Sequence, residues 1–269
     1  MRLHDGAEVE AVLYREHTLC VSCQVGCAVQ CPFCASGANG LSRPLLCEEM
    51  IAQVEHVESL GVKIENVTVS GVGEPLHNAR RVEEFVSYCH RRNTPASVTT
   101  SGGPVETLRI WLKNEGNIFP HHGLTISVHA GTEAARAKLV PKGPSLDALY
   151  RTIEEALPQM SRRRRKKTAL AYLLIAGEND GDAELDAFIA RTAPLGLSIH
   201  LYAHNTVPTS DMRGVTRADY ERVYARFREA GLVVRMSSQA RIEPNGGCGT
   251  LVALRRRDRL PLQDDLRIR

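Results

Sequence analysis

The sequence predicts an α/β fold built on a parallel sheet. Two observations predict it. Helix-like and strand-like segments alternate from a cysteine-rich stretch near residue 20 towards the C-terminus, and about six β/α units of this kind are typical of parallel sheets. Small polar residues and glycines also recur where the strand-like segments end. An incomplete barrel and a doubly wound sheet both fit, and both bind ligands at the carboxyl ends of their strands.

Each predicted element has a local signal. A helix begins at Cys47 and ends near Gly61, because apolar residues recur at helical spacing and glycine is a common C-terminal cap. A polar helix follows at 82–92. Ser145 and Thr216 are expected to cap two further helices, the latter together with Asp219. β-branched and apolar runs predict strands at 67–69, 97–100, 124–128, 168–175, 198–203 and 233–236.

Charge and hydropathy exclude some classes of protein. The net charge of +3 favours no partner by itself. Two basic runs, Arg162–Lys167 and a second formed by Arg255, Arg256, Arg257 and Arg259, can contact phosphates or can simply be solvated. The N-terminus does not resemble a signal peptide, and no run of 18 apolar residues occurs. We therefore expect a cytoplasmic protein with no membrane partner.

The cysteines point to a site rather than to a disulfide framework. Five of the eight lie between Cys20 and Cys34, and three of them, Cys27, Cys31 and Cys34, have Cys-x3-Cys-x2-Cys spacing. Three thiolates can hold an iron–sulfur cubane and leave one iron open for a ligand. Zinc, with Cys23 as fourth ligand, and free thiols are the alternatives. Two other cysteines, Cys47 and Cys89, fall in helical patterns and are interpreted as buried packing residues.

Glycines and polar residues follow several predicted strands. The clearest is Gly71-Val72-Gly73-Glu74-Pro75, where glycines permit close backbone approach and Glu74 can accept hydrogen bonds from an amine. A plain tight turn is the alternative. The segments 100–103, 127–129 and His204-Asn205 lie at the ends of other strands. Together these segments predict a ligand site at the carboxyl edge of the sheet.

Five motifs, in this order, resemble the radical S-adenosylmethionine (SAM) methyltransferases that methylate an adenine of ribosomal and transfer RNA. They are the run from Cys20 to Cys34, GVGEPLHN at 71–78, SVHA at 127–130, LVP at 139–141 and CGTL at 248–251. The resemblance spans about residues 8–254. It implies a partial (β/α)6 barrel at 17–254, with a short N-terminal strand extension at 1–16 and a basic tail at 255–269.

The resemblance also assigns roles. Cys27, Cys31 and Cys34 would bind a 4Fe–4S cluster whose open iron chelates SAM. Gly73 and Glu74 would contact the SAM amine. The other positions that match the family's SAM pocket are Ser101, Ser127, His129 and Asn205.

Three more residues would serve methyl transfer to C2 or C8 of adenine. The resemblance makes Cys248 the methyl-carrying cysteine, Cys20 the resolving cysteine, and Glu10 a residue that orients the base. Such a carbon is not nucleophilic, so a covalent detour is needed. Cys248 would take a methyl from one SAM, a radical from a second SAM would activate that methyl, and Cys20 would release the product and leave a disulfide. A flavodoxin or ferredoxin would supply electrons.

The chain departs from the family pattern in three places. Only nine residues precede Glu10, so we expect the family's helical front domain to be missing. Cys23 replaces a serine, and 241–245 lacks the acidic residues usual before the methyl-carrying cysteine. These departures bear on the substrate. Three hypotheses remain: a methyltransferase that acts on RNA, a methyltransferase that acts on a small adenine-containing or heteroaromatic metabolite, and a non-enzymatic zinc or iron–sulfur module.

Overall fold

One twisted eight-stranded sheet forms the centre of the protein. The computed structural model describes residues 1–114, 123–236 and 249–254. Along the sheet the order is β11-β10-β9-β8-β7-β6-β3-β2. These strands are β2 (Val12–Tyr14), β3 (Thr18–Val21), β6 (Asn66–Val69), β7 (Ala96–Thr100), β8 (Gly123–Ser127), β9 (Thr168–Leu174), β10 (Ser198–Ala203) and β11 (Val233–Met236).

Four short strands lie outside this sheet. β4 (Gln24–Gly26) pairs antiparallel with β5 (Leu41–Pro44), and β1 (Glu8–Val9) pairs antiparallel with β12 (Ala253–Leu254). The β1–β12 pair brings the two ends of the described chain together. The N-terminal segment is also tied to the main sheet, because β2 pairs antiparallel with β3.

Eight helices connect the strands of the described chain. They are α1 (Cys47–Ser59), α2 (Ala79–Arg91), α3 (Val105–Lys113), α4 (Glu133–Leu139), α5 (Leu146–Ala156), α6 (Arg162–Lys167), α7 (Asp182–Thr192) and α8 (Arg217–Glu229). The predicted caps are confirmed, since Ser145 accepts a hydrogen bond from the Ala148 amide and Thr216 from the Asp219 amide.

Strand order decides between the two architectures that the sequence allowed. In the main sheet β3 and the strands from β6 to β11 are parallel and follow one another in chain order. A doubly wound sheet would reverse its order at a switch point. The sheet is therefore an incomplete barrel, and the six predicted strands are confirmed. The first parallel strand, β3, was missed, because its four residues run directly into the cysteine-rich stretch.

The core lies between the sheet and the helices. All seven residues of β9 are buried, as expected for a strand covered on both faces. Tyr172 of β9 packs against Phe188 of α7 and Phe227 of α8, with ring centroids 4.5 and 5.6 Å away. Such burial of large side chains is the main stabilising contribution. No helix in the described ranges is long and apolar enough to span a bilayer.

The basic run Arg162–Lys167 is the short helix α6, which leads directly into β9. It therefore lies at the amino edge of the sheet, about 20 Å along β9 from the carboxyl edge at 3.3 Å per residue. Arg164 donates to the carbonyls of Leu112 and Gln159, so part of the run has a structural role. The second basic run lies outside the described residues.

Candidate active site

The cysteine triad lies on the loop between β4 and β5, at the carboxyl edge of the sheet. Cys27, Cys31 and Cys34 pack against one small apolar cluster. That cluster consists of Val29, Phe33, Leu139, Val140, Leu173 and Ile175. The Cys34 amide donates to the Cys31 carbonyl at 3.0 Å, which closes the turn between the last two cysteines. The loop presents three sulfur donors in an apolar setting, the chemistry that iron–sulfur clusters require.

Burial governs the acidity of these thiols. It raises the pKa of Cys27 to about 12 and raises that of Cys31 well above its usual range. Without a metal both thiols are therefore protonated at neutral pH. Metal ligation needs the thiolate, so loading of the site releases protons.

The zinc alternative required Cys23 beside the triad. Cys23 is 2% exposed and packs in the main core, whereas the triad packs on the separate apolar cluster. Within the described residues, no three side chains of His, Cys, Asp or Glu are placed to hold a single metal ion together; this includes the cysteine triad itself, so it does not distinguish a zinc ion from a cluster. Of the two presumed packing cysteines, Cys89 is buried as expected, but Cys47 is only half-buried because it begins α1 at the surface.

The turn after β6 places a carboxylate beside the triad loop. Glu74 is 3% exposed, and its Oε1 accepts hydrogen bonds from the Leu76 amide and the Thr100 hydroxyl, while Oε2 accepts one from the Ser101 amide at 2.7 Å. A carboxylate has about four acceptor positions. Glu74 is therefore held rigidly and keeps one position on Oε2 for a ligand.

Gly73 permits this arrangement. Its φ is +116°, and a Cβ there would lie 2.7 Å from the Gln24 Cβ and 2.9 Å from the Cys23 Sγ. The Glu74 amide in turn donates to the Gln24 Oε1 at 2.8 Å. The turn therefore packs directly on the segment that leads into the triad loop, and glycine is required at this position.

The remaining expected pocket residues follow the strands β7, β8 and β10. Ser101 is 8% exposed, His129 7% and Asn205 5%, and Ser127 is half-buried at the end of β8. His129 accepts the Leu173 amide at Nδ1, which assigns the proton to Nε2, and its ring packs edge-on to Phe33 of the triad loop. Burial lowers its pKa to about 3, so His129 is neutral.

Buried polar atoms without a partner among the described residues mark where a ligand fits. They are Gln24 Nε2, Ser101 Oγ and His204 Nε2, which lie on three separate segments at the carboxyl edge. A buried polar group left unsatisfied costs about 1–3 kcal/mol, so such atoms are usually paired by a ligand or water. A polar, zwitterionic molecule such as SAM fits this set of donors and acceptors.

Sequence reasoning missed Arg136. This residue of α4 is 1% exposed and donates to four backbone carbonyls, including those of Ser101 and Ser127. Its neighbours in sequence, EAARAKL, are those of an ordinary surface helix, so no local signal marked it. Gln24 lies within the run from Cys20 to Cys34, and its hydrogen bond from the Glu74 amide was likewise not predicted.

Two of the three candidate catalytic residues, Cys20 and Glu10, lie around the same edge. Cys20 of β3 is buried, with its Sγ 3.3 Å from the Ser70 Oγ. Glu10 accepts a hydrogen bond from the Val252 amide at 2.6 Å, and desolvation by the surrounding protein raises its pKa. Cys248 lies outside the described residues.

The segment after Cys248 contacts both the triad loop and Glu10. The Gly249 carbonyl accepts a hydrogen bond from the Ala35 amide at 2.8 Å, and the Leu251 carbonyl accepts one from the Ser36 hydroxyl at 2.7 Å. Ala35 directly follows Cys34. Together with the bond from Val252 to Glu10, these contacts fasten 249–252 between the cysteine loop and the N-terminal segment.

Fold and site define a class: an incomplete (β/α)6 barrel with a three-cysteine loop and a glycine–glutamate turn on one edge is the arrangement of a radical SAM enzyme. The Radical SAM superfamily model matches residues 21–189. A probable RNA methyltransferase of Aromatoleum aromaticum is 32% identical over 94% of this chain and 70% of its own length. A dual-specificity RNA methyltransferase, RlmN 1, of Myxococcus xanthus is 37% identical over 67% of this chain and 52% of its own length.

A solved structure gives the same result. The crystal structure of a radical SAM methyltransferase from Sphaerobacter thermophilus superposes with a TM-score of 0.77 at 29% identity, over 93% of this chain and 75% of that one. The chain therefore belongs to the radical SAM superfamily, within its RNA methyltransferase family. Membership implies a 4Fe–4S cluster and SAM, which the donors described above suit.

Proposed function

We propose that this protein methylates a carbon of an adenine base in RNA, using Cys248 as methyl carrier and Cys20 as resolving cysteine. One observation carries the proposal. The segment that follows Cys248 is hydrogen-bonded on one side to the residue after Cys34 and on the other to Glu10. A methyl carrier must reach SAM beside the cysteine loop and also reach the substrate base, and this tether serves both needs.

The chain's own residues would act in two covalent steps. The Cys248 thiolate attacks the methyl carbon of SAM, which forms a sulfur–carbon bond and releases S-adenosylhomocysteine. After the methyl carbon has bonded to the base, the Cys20 thiolate attacks the Cys248 sulfur. Before this attack the adduct loses the ring proton, and its unpaired electron would return to the oxidised cluster. A disulfide then forms, the bond between that sulfur and the product carbon breaks with its electron pair left on the carbon, and a proton converts that carbon to the methyl group. A reductant must then restore both thiols.

When bound, the cluster supplies the electron that cleaves a second SAM and so produces the radical needed at the methyl carbon. The residues around it prepare that chemistry. Glu74 keeps an acceptor position for the SAM amine, and Phe33 with Leu139 and Val140 shields the loop from water. A flavodoxin or ferredoxin is the proposed donor of electrons.

Glu10 is the proposed contact to the base. Its carboxylate is anchored through one oxygen by the Val252 amide, and its carbonyl accepts a hydrogen bond from the Ser22 hydroxyl at 2.6 Å. Desolvation raises the pKa of Glu10 above its usual value. A carboxyl group of this kind can donate to, or accept from, an adenine edge.

Trapping tests the proposal. Cys20→Ala protein, loaded with its cluster and incubated with SAM, dithionite and total RNA, is expected to accumulate a covalent adduct between Cys248 and an adenosine, because the step that breaks the bond is removed. Nuclease digestion followed by mass spectrometry locates the adduct. Cys47→Ala is the matched control. Cys47 is half-buried at the start of α1 and has no proposed role in the reaction, so this variant should turn over normally.

Deuterated-methyl SAM identifies the substrate class. With wild-type protein the label is expected in adenosines of RNA, with two deuterium atoms rather than three retained from the transferred methyl. Label confined to small molecules would refute the RNA assignment. Full cleavage of SAM with no adduct in Cys20→Ala protein would refute the roles of both cysteines.

A further inference from the structure

A buried cation that makes no direct salt bridge among the described residues lies next to the cofactor site. The Arg136 guanidinium donates from Nε to the Pro144 carbonyl at 3.0 Å, from Nη1 to Ser127 at 2.7 Å and Val128 at 2.9 Å, and from Nη2 to Ser101 at 2.7 Å. All four acceptors are backbone carbonyls. Among the described residues Arg136 forms no direct salt bridge, and the acidic groups Cys31, Glu74 and Glu133 act on its charge only at longer range.

Such a group is costly to bury. An unpaired charge in a protein interior loses its hydration, and hydrogen bonds to neutral carbonyls restore only part of it. Burial accordingly lowers the pKa of Arg136 to about 10, which still leaves it positively charged at neutral pH.

The position of Arg136 connects the two halves of the cofactor site. Leu139, the last residue of the same helix, and Val140, which follows it, belong to the apolar cluster against which the three cysteines pack. On the other side, Ser101 offers its carbonyl to Arg136 and its amide to the Glu74 Oε2. The guanidinium is thus one residue removed from the carboxylate expected to contact SAM.

We propose that Arg136 is a positioning residue whose buried charge is the counterpart of the anions that this site takes up, namely the thiolate-ligated cluster and the SAM carboxylate. It also fixes the strand ends of β7 and β8 that border the pocket. The inference rests on the cluster and SAM chemistry of the family and is independent of RNA as the substrate.

The charge is tested through the cluster's midpoint potential, measured by redox titration with electron paramagnetic resonance on cluster-loaded protein. Reduction adds one negative charge, so loss of a nearby cation should disfavour it. Arg136→Gln is expected to shift the reduction equilibrium about tenfold, a fall of about 59 mV for one electron. Arg136→Lys, which keeps the charge, should stay within about threefold of wild type.

Lys138→Gln is the matched control. Lys138 lies on the same helix, is 59% exposed and pairs with Glu178, so removing its charge should leave the potential unchanged. Affinity for SAM provides a second readout, expected to fall about tenfold in Arg136→Gln and to stay within about threefold in Arg136→Lys. Decarboxylated SAM should lose little affinity on the glutamine substitution, because the anion that Arg136 faces is absent.

Circular dichroism and iron content establish that each variant is folded and loaded. Equal potentials and SAM affinities in wild type, Arg136→Gln and Lys138→Gln would overturn the proposal. Should Arg136→Gln fail to fold, Arg136→Lys decides, since a tenfold change in potential despite the retained charge would also overturn it. Absence of RNA methylation in wild type alongside the expected shifts would refute only the proposed substrate.

Discussion

Gly73→Ala tests the packing of the turn on the triad segment. The new Cβ would lie 2.7 and 2.8 Å from two carbons of Gln24 and 2.9 Å from the Cys23 Sγ. Overpacking a well-packed site costs about 1–3 kcal/mol. Holding a side chain at a positive φ of +116° costs about 1–3 kcal/mol more. The expected loss of unfolding free energy is therefore about 2–6 kcal/mol.

Gly61→Ala is the matched control for this substitution. Gly61 has φ +84° and nothing within 4 Å of its ideal Cβ, so only the backbone term applies. The effect of alanine on the unfolded chain, about 0.4–1 kcal/mol, is common to both variants. Urea denaturation of cluster-free protein measures both, and SAM affinity of loaded protein should fall only for Gly73→Ala. Equal losses of stability in the two variants would refute the packing argument.

Three further outcomes are expected. Glu74→Gln should lower the free energy of unfolding by about 1–3 kcal/mol and weaken SAM binding, because an amide cannot accept all three hydrogen bonds that Leu76, Thr100 and Ser101 donate. Denaturation and equilibrium binding measure these two effects. The free energy of unfolding of cluster-free protein should fall by a few kcal/mol as the pH is lowered from 6.5 to 3. The pKa of His129 is lowered to about 3 in the folded protein, so over this range the unfolded chain binds a proton that the folded chain does not. Neutralising the exposed basic residues of α6 should leave SAM cleavage unchanged and reduce the salt dependence of RNA binding.

A different experimental result would contradict each of these three predictions. A stable Glu74→Gln protein with normal SAM affinity would show that Glu74 does not contact SAM. An acid denaturation curve that is the same in His129→Gln protein would show that His129 does not control this range. Impaired SAM cleavage after substitution in α6 would contradict its position at the amino edge, about 20 Å along β9 from the cofactor site.

Local signals predicted the regular elements well. Ser145 and Thr216 cap α5 and α8. Both caps were predictable because a side-chain oxygen followed by an apolar helical pattern is a local signal that requires no tertiary information. The strand 168–174 was recognisable for a similar reason, as a continuous apolar run. By contrast, β3 has only four residues, the turn before it at 15–17 contains no glycine or proline, and its parallel partner residues in β6 lie 48 positions away in sequence.

The site was predictable only in part, because several of its contacts are not local. The triad spacing and the glycine–glutamate turn are visible in the sequence. Arg136 is not, since its burial depends on carbonyls contributed by three other segments. The burial of Gln24 Nε2 without a hydrogen-bond partner was not predictable either, because it depends on how the turn at Gly73 packs against Gln24.

Anaerobic reconstitution with iron and sulfide tests the central claim most directly, namely that Cys27, Cys31 and Cys34 hold a cluster that cleaves SAM. Wild type and Cys47→Ala are expected to bind iron and sulfide in the stoichiometry of one 4Fe–4S cluster and to form 5′-deoxyadenosine from SAM under dithionite. Cys31→Ala should do neither. Colourless wild-type protein that binds zinc, or unchanged SAM cleavage in Cys31→Ala, would contradict the account.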